Sequence, residues 1–165
     1  MENNPPIPSR REPAHPVDSV FPARWSRRSM TGGHIDRATL LTLLEAARWA
    51  PSSFNNQPWR FLYALRGAEH FPRYLGLLTP DNRAWAENAG ALLIMASRTT
   101  FESGRRSATH SFDAGAAWMA FAVEAMCAVG YPAPADRLPE ALRQKESPTG
   151  RKRVEEFAFE GVFPA

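Results

Sequence analysis

The chain has 165 residues, of which 44% are apolar and 22% charged, a length for one domain and a composition near the globular average. Its formal net charge is +3, and all but Lys145 and Lys152 of its 20 basic residues are Arg. These values exclude a fully disordered chain and a membrane protein, and a surplus this small with no base-reading motif argues against nucleic-acid binding.

Residues 1–22 hold six prolines and no apolar core of a signal peptide, so they are expected to form a Pro-rich flexible arm ahead of a single domain over 23–165. Cys127 is the lone cysteine and lies in an apolar run; His15, His34, His70 and His110 show no metal-ligand spacing. Neither a disulfide framework nor a metal centre is expected, and a reducing cytoplasm is the simplest location.

Arg24, Trp25, Ser26, Arg27, Arg28 and Ser29 form a basic, hydroxyl-rich cluster. Followed by Thr31-Gly32-Gly33, it is a candidate for holding a phosphate. A helix follows, with Asp36 as N-cap and Leu40, Leu43, Leu44 and Ala47 at i, i+3, i+4 and i+7. Pro51 stops it. From Ala50 to Trp59 the chain then offers Ser52, Ser53, Asn55, Asn56 and Gln57 before Pro58-Trp59, more polar chemistry than a connector needs, and it reads as a ligand-facing loop.

Arg60 to Leu65 reads as a strand with Phe61, Tyr63 and Leu65 on one face. A short helix carrying Tyr74, Leu75 and Leu78 follows, then another capped by Asp81 or Asn82 and running through Trp85 to Asn88. Ala89 to Ala96 is a continuous apolar run, expected to be a central strand covered on both faces. Thr99 to His110 is a polar loop in which Arg105 and Arg106 are expected to be solvated. Ser111 is the expected cap of the next helix.

Between Trp118 and Val129 the pattern is ambiguous. Trp118, Phe121, Ala122, Ala125, Met126 and Val129 keep helical spacing, whereas Val123, Ala125, Cys127 and Val129 alternate as in a strand. With no turn residue between Ala116 and Val129, one long helix to about Val129 is the favoured reading. Trp118 and Phe121 are expected in the core or at a dimer seam, and Asp113 as an N-terminal helix charge. Ala133 to Gly150 should wrap the surface, with a helical turn or two within Pro139 to Glu146. A second basic cluster, Gly150-Arg151-Lys152-Arg153, precedes a terminal apolar segment, Val154 to Val162, expected to reach a partner subunit.

Taken together, Arg24-Trp25-Ser26-Arg27-Arg28, the helix Leu40 to Trp49 running into Pro51-Ser52-Ser53-Phe54-Asn55-Asn56-Gln57-Pro58-Trp59, Asn82-Arg83-Ala84-Trp85 and Gly150-Arg151-Lys152 resemble the FMN-dependent nitroreductase family. The resemblance implies an α+β fold with a central, mainly antiparallel sheet flanked by helices, and an intertwined homodimer binding FMN at its interface. Arg24, Ser26 and Arg28 match positions that hold the FMN phosphate and the pyrimidine edge of the flavin. Ser52, Ser53 and Asn55 match contacts from the opposite subunit, Asn82 a side chain near the ring, and Arg151 with Lys152 the C-terminal phosphate clamp.

The implied activity is hydride transfer from NADH or NADPH, through the flavin, to a small-molecule electron acceptor such as a nitroaromatic, quinone or enal, by a ping-pong sequence. No side chain is required as a catalytic acid, base or nucleophile, since the cofactor carries the chemistry. Against the family pattern about 30 residues are missing near Ala122-Val123, a helix-loop-helix length. That gap motivates the alternative of a non-catalytic or weakly flavin-binding relative.

Overall fold

The computed structural model describes residues 11–124 and 129–153. The chain divides into two compact units: Met1–Trp25 with Ser147–Ala165, and Ser26–Glu146. The described part of the first unit contains one short helix, α1 (Val20–Ala23). The larger unit holds the remaining elements.

Helix α2 (Arg37–Arg48) starts where the sequence sets its cap: Asp36 Oδ1 accepts the Thr39 N–H at 2.7 Å. That backbone donor, with the Thr39 hydroxyl, holds the Asp36 carboxyl below the usual carboxylate range. Strand β1 (Trp59–Leu65) pairs antiparallel with β2 (Ala91–Ser97), Phe61 opposite Met95 and Tyr63 opposite Leu93. Side chains alternate across the pair. One face, with Phe61, Tyr63, Leu65, Leu93 and Met95, packs on Leu40 and Ala47 of α2 and on Ala117 and Phe121 of α5 (His110–Glu124). The opposite face, with Ala64 and Leu92, packs on Phe71 of α3 (Phe71–Gly76) and Ala86 of α4 (Pro80–Ala86). The expected double cover of β2 is therefore present.

Among the boundaries that differ from the sequence reading, such as β1 starting at Trp59 and β2 at Ala91, three have a clear physical cause. Asp81 and Asn82 lie inside α4, whose N-cap is Thr79 with Pro80 in the first turn, a place where the missing proline N–H is no loss. Helix α5 begins at His110 rather than after Ser111, because the Thr109 carbonyl accepts the Asp113 N–H at 2.9 Å. Asp113 is only 3% exposed and accepts the Thr109 hydroxyl at 3.1 Å, a local bond of the helix start.

The third concerns the end of α5. The helix passes Ala122 without a break and is described as far as Glu124, while Val129 already lies against the sheet: its carbonyl accepts the N–H of Gly90 at 2.7 Å and of Ala91 at 3.0 Å. Val129 itself is therefore not helical, against the expectation of a helix that includes it. Residues 125–128, with Cys127, lie outside the described residues, as does the segment expected over Val154 to Val162.

From Val129 the chain continues antiparallel to Ser29–Thr31, bridging Met30 with Pro132. The surface segment then contains α6 (Glu140–Arg143), inside the stretch Pro139 to Glu146 expected to hold a helical turn or two, and a single turn at Ala135–Arg137 that lies outside it. Gly90 sits where the strands close up: a Cβ there would lie 2.7 Å from Ile35 Cγ1 and 2.9 Å from the Gly33 carbonyl. Gly90→Ala is expected to lower the unfolding free energy by about 1–3 kcal/mol through overpacking, read as a fall in the urea midpoint.

Candidate functional site

The loop after α2 is built under backbone strain. Phe54, Asn55 and Gln57 have φ of 52°, 53° and 45°, in the left-handed region. Asn adopts this conformation readily, whereas Phe does so at a cost of about 1–3 kcal/mol. Local bonds over-determine the shape. The Ser52 carbonyl accepts the Asn55 N–H at 3.0 Å, the Ser52 hydroxyl accepts the Gln57 N–H at 3.0 Å, and the Gln57 amide donates to Asn55 Oδ1 at 3.1 Å. Helix termination by Pro51 and the Ser and Asn side chains produce this turn, so its sequence signal was local.

Arg98, just beyond β2, fastens the loop from beneath. Its N–H donates to the Pro58 carbonyl at 2.8 Å, and its guanidinium Nη2 donates to Asn56 Oδ1 at 2.9 Å. Asn56 Nδ2 and Arg98 Nε are both buried without a partner among the described residues. Beside them opens a shallow cavity of about 450 Å³ lined by Phe54, Asn55, Gln57, Arg98, Phe101 and Glu102. Phe54, 84% exposed, meets Phe101 edge-on with ring centroids 5.9 Å apart, and the Arg105 guanidinium lies 4.9 Å from the Phe101 centroid. Arg105 is therefore a stacking partner of an aromatic pair, beyond the solvated role its loop suggested.

Ser52, Ser53 and Asn55 thus share one loop, with Ser53 half-buried and Asn55 exposed. Asn82 stands exposed on α4, its Oδ1 accepting the Trp85 indole N–H at 3.2 Å, which leaves its amide N–H groups outward. Ser26 is exposed, and Arg28 is half-buried at the start of the segment paired with 129–132. The Arg28 N–H is directed at Glu146, 3.0 Å from each carboxylate oxygen; Oε1 also accepts the Ser29 N–H at 2.9 Å. Glu146 is a support that no spacing rule would have found, since its partner lies 118 residues away.

Within the smaller unit, Arg24 is half-buried and Arg151 and Lys152 are exposed. Arg11 sits between the segments that carry Arg24 and Arg151 and is 9% exposed. Desolvation, followed by the charges of Arg151 and Arg24, pushes the Arg11 guanidinium below its usual range.

The donor set is chemically uniform: guanidinium, ammonium, hydroxyl and amide groups, suited to an anion and to the acceptor-rich edge of a heteroaromatic ring. Among the described residues no three His, Cys, Asp or Glu side chains group as a metal site, and no helix is long and apolar enough to cross a membrane.

Comparison with known proteins agrees with this chemistry. A Streptomyces coelicolor protein named as an NADH dehydrogenase/NAD(P)H nitroreductase is 36% identical over 89 residues, 54% of this chain; the match spans 44% of that relative's length. The crystal structure of an oxidoreductase containing FMN superposes with a TM-score of 0.88 at 36% identity, covering 93% of this chain and 96% of that one. A nitroreductase family protein from Clostridium difficile shares the fold alone, with a TM-score of 0.60 at 14% identity, covering 87% of this chain and 97% of that one. The nitroreductase family pattern matches residues 22–122, more than half the length, and the chain belongs to the nitroreductase family.

Proposed function

We propose that the chain is an FMN-dependent oxidoreductase that takes a hydride from NADH or NADPH and passes it to a small electrophile such as a nitroaromatic, quinone or enal, the two substrates using one pocket in turn. The observation that carries this reading is the 36% identity to an FMN-containing oxidoreductase over nearly the full extent of both chains.

When bound, FMN supplies the centre that accepts and releases hydride. The residues of this chain bind and orient it. Arg24, Arg151 and Lys152 in the smaller unit, and Arg28 in the larger, each carry charge-assisted donors of the kind a phosphate dianion takes. Ser53 offers a hydroxyl, and Asn55 and Asn82 offer amide N–H groups whose carbonyl oxygens are already engaged by Gln57 and Trp85. Ser52, tied to the Gln57 N–H, keeps the loop in the shape that presents them. No nucleophile or general base is needed in such a site.

A homodimer is part of the proposal. It is supported by aromatic side chains that a lone subunit leaves in water: Trp49 is 75% exposed, Phe54 84% and Phe112 80%.

The test is spectroscopic. The purified protein, or the protein soaked with FMN, should show an oxidised-flavin absorbance that NADH or NADPH bleaches without oxygen and a quinone or nitroaromatic restores. Failure to bind FMN would overturn the reading. Binding without bleaching would favour a non-catalytic flavin-binding relative.

A further inference from the structure

The residue that the proposed chemistry leaves unexplained is Arg11. It lies in a Pro-rich stretch with no helical or strand pattern, yet it is the most buried cation among the described residues. Its guanidinium joins two ends of the chain. Nε donates to the Thr149 carbonyl at 3.1 Å, across 138 residues, and Nη1 donates to the carbonyls of Pro22 at 3.3 Å and Arg24 at 2.5 Å. One of these acceptors belongs to Arg24 itself, and another stands two residues before Arg151. The planar fork is what makes this possible: a lysine ammonium, a point donor on a flexible stem, cannot hold three carbonyls in fixed directions.

The arrangement is electrostatically costly as it stands. Arg24 and Arg151 both lie near enough to act on the Arg11 charge, so three like charges share a small region. Cations gathered around a buried bridge, with the Arg151 guanidinium held by Thr149 and Gly150, are what a multiply charged anion would repay.

We propose that Arg11 is the positioning residue of a phosphate clamp: it ties the backbone of Arg24 to the backbone leading into Arg151, so that these two guanidiniums address one phosphate group. The inference rests on the flavin reading for the identity of that phosphate. Arg11 acts through the backbone it holds: its Nε and Nη1 are taken by carbonyls.

The experiment compares FMN with riboflavin, which has the same ring and no phosphate, by flavin fluorescence titration of the full-length protein. Arg11→Lys, which retains the charge, should raise the Kd for FMN about tenfold and leave that for riboflavin within twofold. In an Arg151→Ala background the same substitution should change the FMN Kd much less, because the group it positions is gone. Equal losses for both flavins, or an unchanged FMN Kd, would overturn the proposal, as would full additivity with Arg151→Ala.

If the wild-type protein binds neither flavin, the flavin reading fails and inorganic phosphate becomes the probe. Phosphate should then raise the thermal midpoint of the wild type but not of Arg11→Lys, and an equal effect on both, or none on either, would overturn the clamp.

Discussion

Phe121→Ala should lower the unfolding free energy by about 3–5 kcal/mol. The side chain is fully buried, stacked on Trp118 with ring centroids 5.8 Å apart and tilted against Phe61 of β1 at 5.8 Å. Its neighbours in the same cluster include Ala47 and Ala117, both fully buried and both too small to close over the gap. The surroundings therefore cannot collapse, and the loss combines the transfer energy of the ring with the cavity it leaves. In urea the midpoint should fall while the slope stays the same, because the unfolded state exposes nearly the same surface. Phe121→Leu, which keeps most of the volume, should cost well under half as much. If Phe121→Ala left the midpoint unchanged, the packing of α5 on β1 described above would be wrong.

Phe121 also marks how far the sequence reaches. Its spacing with Trp118 and Ala122 placed it on a buried helical stripe, and the alternation of Phe61, Tyr63 and Leu65 put these three on one face of β1, the face that packs on α2 and α5. Both signals are periodic, and each depends on one face of one element. The end of α5 was not legible by the same means. Val129 satisfies the helical stripe, yet its carbonyl is taken by the N–H groups of Gly90 and Ala91, so the demands of the sheet edge override the local pattern. Periodicity has no access to that competition.

The candidate site divides in the same way. The turn that carries Ser52, Ser53 and Asn55 was legible because its stop at Pro51 and restart at Pro58 are encoded within ten residues. Arg98, Arg11 and Glu146 were not, since each is a charged residue whose partners, backbone groups or for Arg98 also one side-chain amide, lie away from it in sequence. Arg98 holds Asn56 and Pro58 across about forty residues, and nothing in its neighbourhood of Ser97 and Thr99 announces this. Single long-range bonds to backbone leave no spacing, repeat or composition to read.

Glu146 provides the second large expected effect. Its carboxylate accepts the backbone N–H groups of Arg28 and Ser29, while the Arg28 guanidinium reaches back toward the Lys145 carbonyl at 3.5 Å. Ser29 is itself 1% exposed, and its hydroxyl donates to the Pro134 carbonyl. Truncation to Ala would strand the Ser29 N–H in a place water does not reach, and would release the segment around Lys145 from Arg28. A bond to a charged acceptor contributes about 1.5–3 kcal/mol, and two donors on one carboxylate fall short of twice that, so Glu146→Ala should cost about 3 kcal/mol. Glu146→Gln keeps an oxygen acceptor without its charge and should lose about half as much, both read from urea midpoints. Because Arg28 is a proposed phosphate donor anchored at its own N–H, Glu146→Ala should also weaken FMN more than riboflavin under conditions where the variant remains folded. A variant as stable as the wild type would mean that water replaces the carboxylate at both N–H groups, and would remove Glu146 from the support of Arg28.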